Sequence, residues 1–597
     1  MGRIKSQKGI SPEIARRAFL WVMCSRTPLT PRMLADAVCR DPETGTADPP
    51  NLDINVVLEA CRNLVMVDRS GHCRFSHLSV QEYLEAHHYS NGRAHLVAGL
   101  VCLQVLLDPT NWQKIERLRP AFRGLREEER FLRYTVDHWP DHVRLQAEEG
   151  IDDRLRSLVK AFLGSPTEAT TAYAYWSPKY SCDREGMFTH GLVSNDELLQ
   201  PSRPIFAVII LGLNIFLDSW WTSDLDFDQQ VEEGGLLLLL AGIFDNFPAV
   251  RGLLDLGASP NIQSPKFSRA LHGAASLGKD ATVRLLLDRG ADINAQGGYY
   301  GNALQVAAFS GSEVIVRLLL DRGADINAQG GKYGNALQAA VFCGNKVIFR
   351  LLVDRGADIN AQGGIYGNAL QAAASKGSEV IVRLLLDRGA DIHTQGGYYG
   401  NALQGAASCG SEVIIRLLLD RGADMNAQGG FYGNALQAAT SEGREVIVRL
   451  LLDRGADVNA QGRFYGNALQ AAASKGSEVI FRLLLDRGAD INAQGGYYGN
   501  ALQAAASEGS EVIVRLLLDL GADINAQGGE YGNALQAAAS NGNEAIVSLL
   551  LDRGADINVQ GGKHGNALQA TEARGYAHIA RLLLDHGAKI GSLEGRY

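Results

Sequence analysis

The chain has 597 residues, of which 46% are hydrophobic, and a formal net charge of −9 at pH 7. This length exceeds what one hydrophobic core can organise, so we expect several domains or a repeat array. The eight cysteines form no Cys-x-x-Cys pair and the chain has no basic stripe, which argues against a disulfide framework, a zinc ribbon and a nucleic-acid partner.

The cysteines and the apolar segments also bear on localisation. Scattered cysteines without a signal peptide favour a reducing, cytoplasmic compartment. The most apolar runs, Ile205–Leu217 and Leu236–Phe244, are shorter than the roughly 20 residues that span a bilayer. Met1–Ser6 fits the myristoylation pattern, but so short a pattern often matches by chance and one acyl chain anchors weakly. We therefore expect a cytoplasmic protein with no membrane partner.

The first part of the chain is predicted to be a tail, residues 1–10, followed by a winged-helix-like module, residues 11–94. Ser11-Pro12 and Thr30-Pro31 are helix starts, because proline is favoured in the first turn. A third helical pattern covers Ile54–Arg62. Leu64–Asp68 and Cys73–Ser76 are predicted to form a hairpin around Ser70-Gly71, and Leu78–His88 is predicted to form a fourth helix.

Two less informative segments follow this module. Residues 95–201 are predicted to be a helical bridging region, to which the sequence assigns no further role. Residues 202–234 are a candidate degenerate capping repeat.

The rest of the chain, residues 235–597, is a repeat array. The phrase Gly-Asn-Ala-Leu-Gln recurs every 33 residues in nine copies, from Gly301 to Gly565. Two degenerate units, 235–267 and 268–300, precede them, which gives eleven repeats. Such a period predicts a mainly α solenoid in which each two-helix unit is covered by its sequential neighbours. At roughly 8–10 Å between helix layers, eleven units would span about 100 Å.

One repeat illustrates the predicted unit. Asn302 and Gln305 form a capping-box-like start of a short helix, which Gly311 ends. Ser312 is predicted to cap a second helix that is apolar except for a polar stripe at i, i+4 spacing. This helix needs cover on two sides, which neighbouring repeats would supply.

The unit closely resembles the ankyrin repeat. Gly323–Ala328 reads Gly-Ala-Asp-Ile-Asn-Ala, as in that family, and Asn302–Gln305 stands where the family usually has Thr-Pro-Leu-His. Tyr300 stands where the family has its hairpin-tip glycine, which is displaced by one position. The resemblance implies an ankyrin-repeat solenoid that binds proteins.

The N-terminal module resembles the segment that follows the nucleotide-binding domain in NACHT-containing, NLR-like proteins, especially the fungal NACHT–ankyrin class. Ala15–Trp21, Pro28–Thr30 and Phe75–Leu84 carry this resemblance. It implies that His77 would sense a nucleotide phosphate if a NACHT domain were supplied. The chain has no P-loop, so we expect the rear half of a switch receptor, from a truncated product or an incomplete gene model. In the chain alone, we expect His77 to be a hydrogen-bonded histidine at a hairpin–helix junction.

The candidate partner-binding residues lie just before the repeated phrase. A nearly constant tyrosine precedes each Gly-Asn and is expected to pack between arms: Tyr300, Tyr333, Tyr366, Tyr399, Tyr432, Tyr465, Tyr498 and Tyr531. The residue before it varies, and we predict that these nine residues line one edge of the stack: Tyr299, Lys332, Ile365, Tyr398, Phe431, Phe464, Tyr497, Glu530 and Lys563. A row of exposed aromatic residues is typical of binding hot spots, although drift at a tolerant loop position explains the variation equally well.

Other chemistries find little support in the sequence. His138 and His142 lie four residues apart, and His87 and His88 are adjacent, but neither pair has the glutamate and third ligand of a zinc hydrolase. Gly298–Gly301 imitates the Gly-x-x-Gly clamp of KH RNA-binding modules without basic flanks. We therefore expect no enzyme, no cofactor and no metal. The leading hypothesis is protein recognition by the array as the sensor part of an NLR-like receptor, and the alternative is a passive intracellular scaffold.

Overall fold

The computed structural model describes residues 12–46, 52–118, 125–146, 150–166, 168–177, 204–213, 231–263 and 269–589. The chain forms two compact units, residues 1–292 and residues 293–597. The predicted tail lies outside the described residues. So do residues 178–203 and 214–230, which include the end of the predicted bridging region and most of the candidate capping repeat.

The first unit begins with the helices and hairpin that the sequence predicts. Its elements are α1 (Pro12–Cys24), α2 (Pro31–Val38), α3 (Ile54–Ala60), β1 (Val65–Val67), β2 (Cys73–Phe75) and α4 (Leu78–His87). The two strands are antiparallel, with Val65 opposite Phe75 and Val67 opposite Cys73. Thr30 caps α2, because its Oγ1 accepts the Met33 N–H at 3.4 Å.

The predicted bridging region is helical and has an aromatic core. It contains α5 (Asn91–Leu107), a 3-10 turn (Pro109–Asn111), α6 (Trp112–Arg117), α7 (Glu127–Gln146), α8 (Asp153–Leu163) and α9 (Thr171–Trp176). The apolar helix α5 packs against α1, α7 and α8. The rings of Trp139 and Phe162 meet edge to face at 5.1 Å, and both pack on Trp176. The described residues of this unit include five further helices: Pro204–Leu211, Val231–Ile243, Phe247–Asp255, Ala270–Ser276 and Asp280–Asp288.

The second unit is a stack of helix pairs. The first helices are Ala303–Ser310, Ala336–Phe342, Ala369–Ser375, Ala402–Cys409, Ala435–Ser441, Ala468–Lys475, Ala501–Glu508, Ala534–Ser540 and Ala567–Arg574. The second helices are Glu313–Asp321, Lys346–Asp354, Glu379–Asp387, Glu412–Asp420, Glu445–Asp453, Glu478–Asp486, Glu511–Asp519, Glu544–Asp552 and Ala577–Asp585. Each first helix packs on the first helix of the next repeat, so successive repeats share a continuous core.

The helix ends are mostly as predicted. Asn302 and Gln305 form a capping box, in which the Gln305 N–H donates to Asn302 Oδ1 at 2.9 Å and the Asn302 N–H donates to Gln305 Oε1 at 2.8 Å. Gly311 ends the helix at a φ of +82°. The predicted side-chain cap by Ser312 is wrong. The left-handed turn at Gly311 instead ties the Ser312 N–H to the Ala307 carbonyl, and only the Ser312 carbonyl joins the second helix.

The last repeat has a polar outer surface. Glu572 is exposed at the position where the preceding repeat buries Ala539. Thr571 stays buried, while Tyr576 and His578 are exposed. A polar outer face of this kind is typical of the capping repeats of solenoids.

Among the helices of the described ranges, none combines the length and the apolar character that crossing a bilayer requires.

Leu436 tests the core of the stack. This side chain is 2% exposed, so its replacement by alanine should leave a cavity and lower the free energy of unfolding by about 2–5 kcal/mol. Val446→Ala is the matched control, because Val446 is 61% exposed and its truncation should change stability by less than about 0.5 kcal/mol. Chemical denaturation measures both variants, and equal values would contradict the core placement of Leu436.

Candidate functional site

The site is built on the arms, which are the segments that link the second helix of one repeat to the first helix of the next. A buried glutamine holds each arm. The Gln305 side chain is 2% exposed, and its Nε2 donates to the Ala328 carbonyl at 3.0 Å and to the Gly334 carbonyl at 2.9 Å in the following arm. The same pair of bonds recurs at Gln338, Gln371, Gln404, Gln437, Gln470, Gln503 and Gln536. Each first helix therefore fixes the position of the next arm.

The glycine of the repeated phrase makes room for this glutamine. Gly301 has a φ of +103°, and a Cβ atom there would stand 1.8 Å from Gln305 Oε1. Gly367 and Gly466 have the same relation to Gln371 and Gln470, again at 1.8 Å. Any other residue would be strained and would also displace the glutamine side chain. The glycine and the glutamine of the phrase therefore act together to hold the next arm, and this pair is called here the glutamine device.

A second glycine shapes the tip of each arm. The Gly330 N–H donates to the Gly334 carbonyl at 2.7 Å, which closes a tight turn around Gly331. Gly331 has a φ of +60°, and a Cβ atom there would lie 2.2 Å from the carbonyl oxygen of Tyr300 in the preceding tip. Gly331 therefore lets successive tips approach closely.

Arg463 occupies this glycine position in one repeat. There the Gly462 N–H still donates to the Gly466 carbonyl, at 2.6 Å, as the Gly429 N–H donates to the Gly433 carbonyl at 2.8 Å. The turn is therefore kept when arginine replaces this glycine.

The nine varied residues lie side by side and are called here the tip row: Tyr299, Lys332, Ile365, Tyr398, Phe431, Phe464, Tyr497, Glu530 and Lys563. Backbone hydrogen bonds join most neighbours in this row, with the Lys332 N–H donating to the Tyr299 carbonyl at 2.9 Å and the Phe431 N–H donating to the Tyr398 carbonyl at 2.8 Å. The structure thus brings all nine predicted residues together in one row.

Four consecutive members of the tip row stack as rings. The centroids of Tyr398 and Phe431 lie 5.2 Å apart at an interplanar angle of 12°. Phe431 and Phe464 are 4.8 Å apart at 26°, and Phe464 and Tyr497 are 5.3 Å apart at 11°. Tyr398 is 45% exposed and the other three are half-buried, so the stacked rings cover one another's faces and leave their edges accessible to solvent.

The other tip-row residues extend this surface in both directions. Tyr299 is 49% exposed and Ile365 is 40% exposed. Lys332 Nζ lies 4.8 Å from the centre of the Tyr299 ring, a cation–π contact. At the other end of the row, Lys563 Nζ lies 2.7 Å from Glu530 Oε1.

The constant tyrosines form an inner row beneath the tips. Their stacked rings are separated by 6.0 Å between Tyr300 and Tyr333 and by 6.3 Å between Tyr366 and Tyr399, so they pack between arms as expected. Burial raises the pKa of the Tyr300 hydroxyl to about 12. The Tyr432 hydroxyl donates to Glu442 Oε1 at 2.8 Å. The inner row supports the tips with stacked rings.

Two phenylalanines join this aromatic layer at its start. Phe309 stacks on Tyr333 at 5.0 Å, and the Phe342 ring lies 4.9 Å from Tyr366 with Lys376 Nζ 3.8 Å from its centre. Sequence reasoning missed them because they stand on the first helix in only two repeats. The sequence feature that could have revealed them is an aromatic residue at a position where later repeats have serine, as at Ser375.

His77 is placed as expected for the chain alone. It lies at the junction of β2 and α4, where its Nδ1 accepts the Ser79 N–H at 3.3 Å and lies 2.9 Å from Ser79 Oγ. This is a helix-capping arrangement, which explains a histidine at this position without a nucleotide.

A buried cluster that the sequence analysis did not identify lies in the first unit. His142 Nδ1 is 2.8 Å from His95 Nδ1, and His142 Nε2 is 2.9 Å from the Tyr134 hydroxyl. The Cys24 thiol completes a group whose three donor atoms all lie within 4.8 Å of one another. Burial lowers the pKa of His142 and raises that of Cys24. His138, which the sequence paired with His142, instead lies near Asp141, with 3.4 Å between Nδ1 and Oδ2.

Comparison with protein-family models matches ankyrin repeats in overlapping segments that together run from residue 237 to residue 594. With the stacked helix pairs and their arms, this match shows that the chain belongs to the ankyrin-repeat family. Ankyrin repeats are generally protein–protein interaction modules. No curated protein matches the chain.

The glutamine device can be tested at Gln437. This side chain is fully buried, and Gln437→Met would keep its volume while leaving the Ala460 and Gly466 carbonyls without their donor. The free energy of unfolding should fall by about 1–3 kcal/mol. Gln494→Met is the control, because Gln494 is exposed and should tolerate the change. Denaturant melts that show the same stability for both variants would rule the device out.

Proposed function

We propose that the second unit binds a protein partner along the tip row. The observation that carries this proposal is the stack of Tyr398, Phe431, Phe464 and Tyr497, whose ring edges face outward along one side of the array. Aromatic residues dominate the binding energy of most protein interfaces.

The support for these tips favours binding over random variation at a tolerant loop. Each ring is held between its neighbours, and the backbone beneath it is fixed by the glutamine device. Rings that are already ordered lose little rotamer freedom when a partner arrives, so more of the contact energy appears as affinity.

The charges along the row suggest where specificity arises. Lys332 lies on one side of the aromatic stack, and the Glu530–Lys563 pair lies on the other. A partner with an apolar centre and charged flanks would match this order, because rim charges select among partners while the centre supplies affinity.

We further propose that the chain is the sensor part of an NLR-like receptor. The order of three helices, a hairpin and a fourth helix in residues 12–87 supports this proposal. An in-frame P-loop sequence in the genomic DNA upstream of the Met1 codon would support the receptor. An upstream region that encodes no nucleotide-binding domain would favour the passive scaffold.

The tip row predicts the effect of a triple substitution. A pull-down with the full chain first identifies a partner, and titration calorimetry then measures the affinity of that partner for the chain. Replacing Phe431, Phe464 and Tyr497 with alanine should weaken binding by roughly 30-fold or more, since each hot spot contributes about 2 kcal/mol or more.

The matched control replaces exposed valines on the second helices of the same stretch, Val446, Val479 and Val512, with alanine. This variant should bind normally, and circular dichroism should show that both variants keep their helices. Unchanged affinity in the aromatic variant would remove the tip row from the binding surface.

A further inference from the structure

The buried cluster in the first unit has the composition of a metal site. Its three donors are Cys24 Sγ, His95 Nδ1 and His142 Nδ1, which all lie within 4.8 Å of one another. They come from the last residue of α1, the first turns of α5 and the last turns of α7. Their residues are 3%, 4% and 0% exposed, so three separate helices bring sulfur and imidazole ligands to one closed point.

The surrounding groups orient the His142 ring. The Tyr134 hydroxyl lies 2.9 Å from His142 Nε2 and also accepts the Arg26 N–H at 3.2 Å. The Trp21 ring meets the His142 ring edge to face at 6.0 Å. A ring whose outer nitrogen is held in this way turns its Nδ1 toward His95, as is typical of metal-binding histidines.

The short distance between the two imidazoles shows that at least one Nδ1 is unprotonated. Two Nδ1 atoms 2.8 Å apart form a hydrogen bond only when one of them carries the proton and the other accepts it through its lone pair, which is the lone pair that a metal ion would use. When a metal ion binds both, the shared proton moves to Nε2 of its own ring. Only the Cys24 thiol then loses a proton, which is released to solvent.

The charge balance of the site selects the ion. Asp141, the carboxylate next to His142 in the chain, already lies 3.7 Å from the Arg26 guanidinium and 3.5 Å from that of Arg144. One thiolate and two neutral imidazoles therefore carry a single negative charge. A monovalent ion makes the closed site neutral, whereas a divalent ion would leave a buried positive charge. Sulfur and imidazole donors suit copper(I), and structural zinc requires a fourth ligand.

We propose that Cys24, His95 and His142 bind one copper(I) ion in the core of the first unit. Such an ion would tie α1, α5 and α7 together, independently of the partner-binding array.

The test uses the full chain with Cys182, Cys343 and Cys409 replaced by serine, because Cys343 is exposed, Cys409 is partly exposed and Cys182 lies outside the described residues. Anaerobic competition with a chromogenic copper(I) chelator should give one ion per chain. Cys24→Ser should weaken binding by more than about 100-fold, since removing a ligand exceeds the 10–100-fold effect of changing a neighbour of a ligand. Cys61→Ser is the matched control, because this thiol is equally buried but lies outside the cluster, and it should leave the affinity unchanged.

Two further measurements separate a lost ligand from a lost fold. Copper X-ray absorption on the copper-loaded protein should show one sulfur and two imidazole nitrogens around the ion. Tyr134→Phe should weaken copper binding by about 10–100-fold while the helical circular dichroism stays intact. Retention of zinc in place of copper, sulfur-only coordination, equal losses in the Cys24 and Cys61 variants, or no retained ion would each overturn the proposal.

Discussion

The second unit depends on one hydrogen-bonded side chain, the buried glutamine of each first helix. A solenoid repeat has a core only where its neighbour covers it, so the contact between repeats decides stability and geometry together. Gln305 fixes the next arm by donating to two of its carbonyls, and Gly301 leaves the space that the glutamine occupies. Because the same glycine–glutamine pair recurs every 33 residues, the same contact between a first helix and the next arm is repeated along the unit.

The fixed arms explain why the tips form a surface. Packed helices lie about 8–10 Å apart, whereas the tip rings of Phe431 and Phe464 lie 4.8 Å apart. Successive tips approach this closely because backbone hydrogen bonds join them, such as the one from the Phe431 N–H to the Tyr398 carbonyl at 2.8 Å. The rings therefore form a continuous ladder, which turns a row of variable loop residues into a preorganised aromatic face.

The sequence predicts the helices well and the contacts between them less well. Asn302, Gln305 and Gly311 mark helix ends because their hydrogen bonds are local. The helices of the repeat could therefore be predicted from these residues and their spacing. The role of Gly301 depends on the Gln305 side chain, which folds back onto it, and the role of Gly331 depends on contact with the preceding tip. Neither role can be predicted from the sequence of one repeat. The Cys24, His95 and His142 cluster joins residues far apart in sequence, which no periodicity reveals.

Native-state hydrogen exchange on two alanine variants tests the glutamine device most directly. Gly466 and Gly455 have similar φ angles, +84° and +88°, so both substitutions impose similar backbone strain. Only at Gly466 does Gln470 occupy the place of the new Cβ, whereas Gly455 has open space there. We expect Gly466→Ala to accelerate exchange in the following arm, at residues 492–500, while Gly455→Ala leaves that arm protected. Equal protection of this arm in both variants would contradict the account.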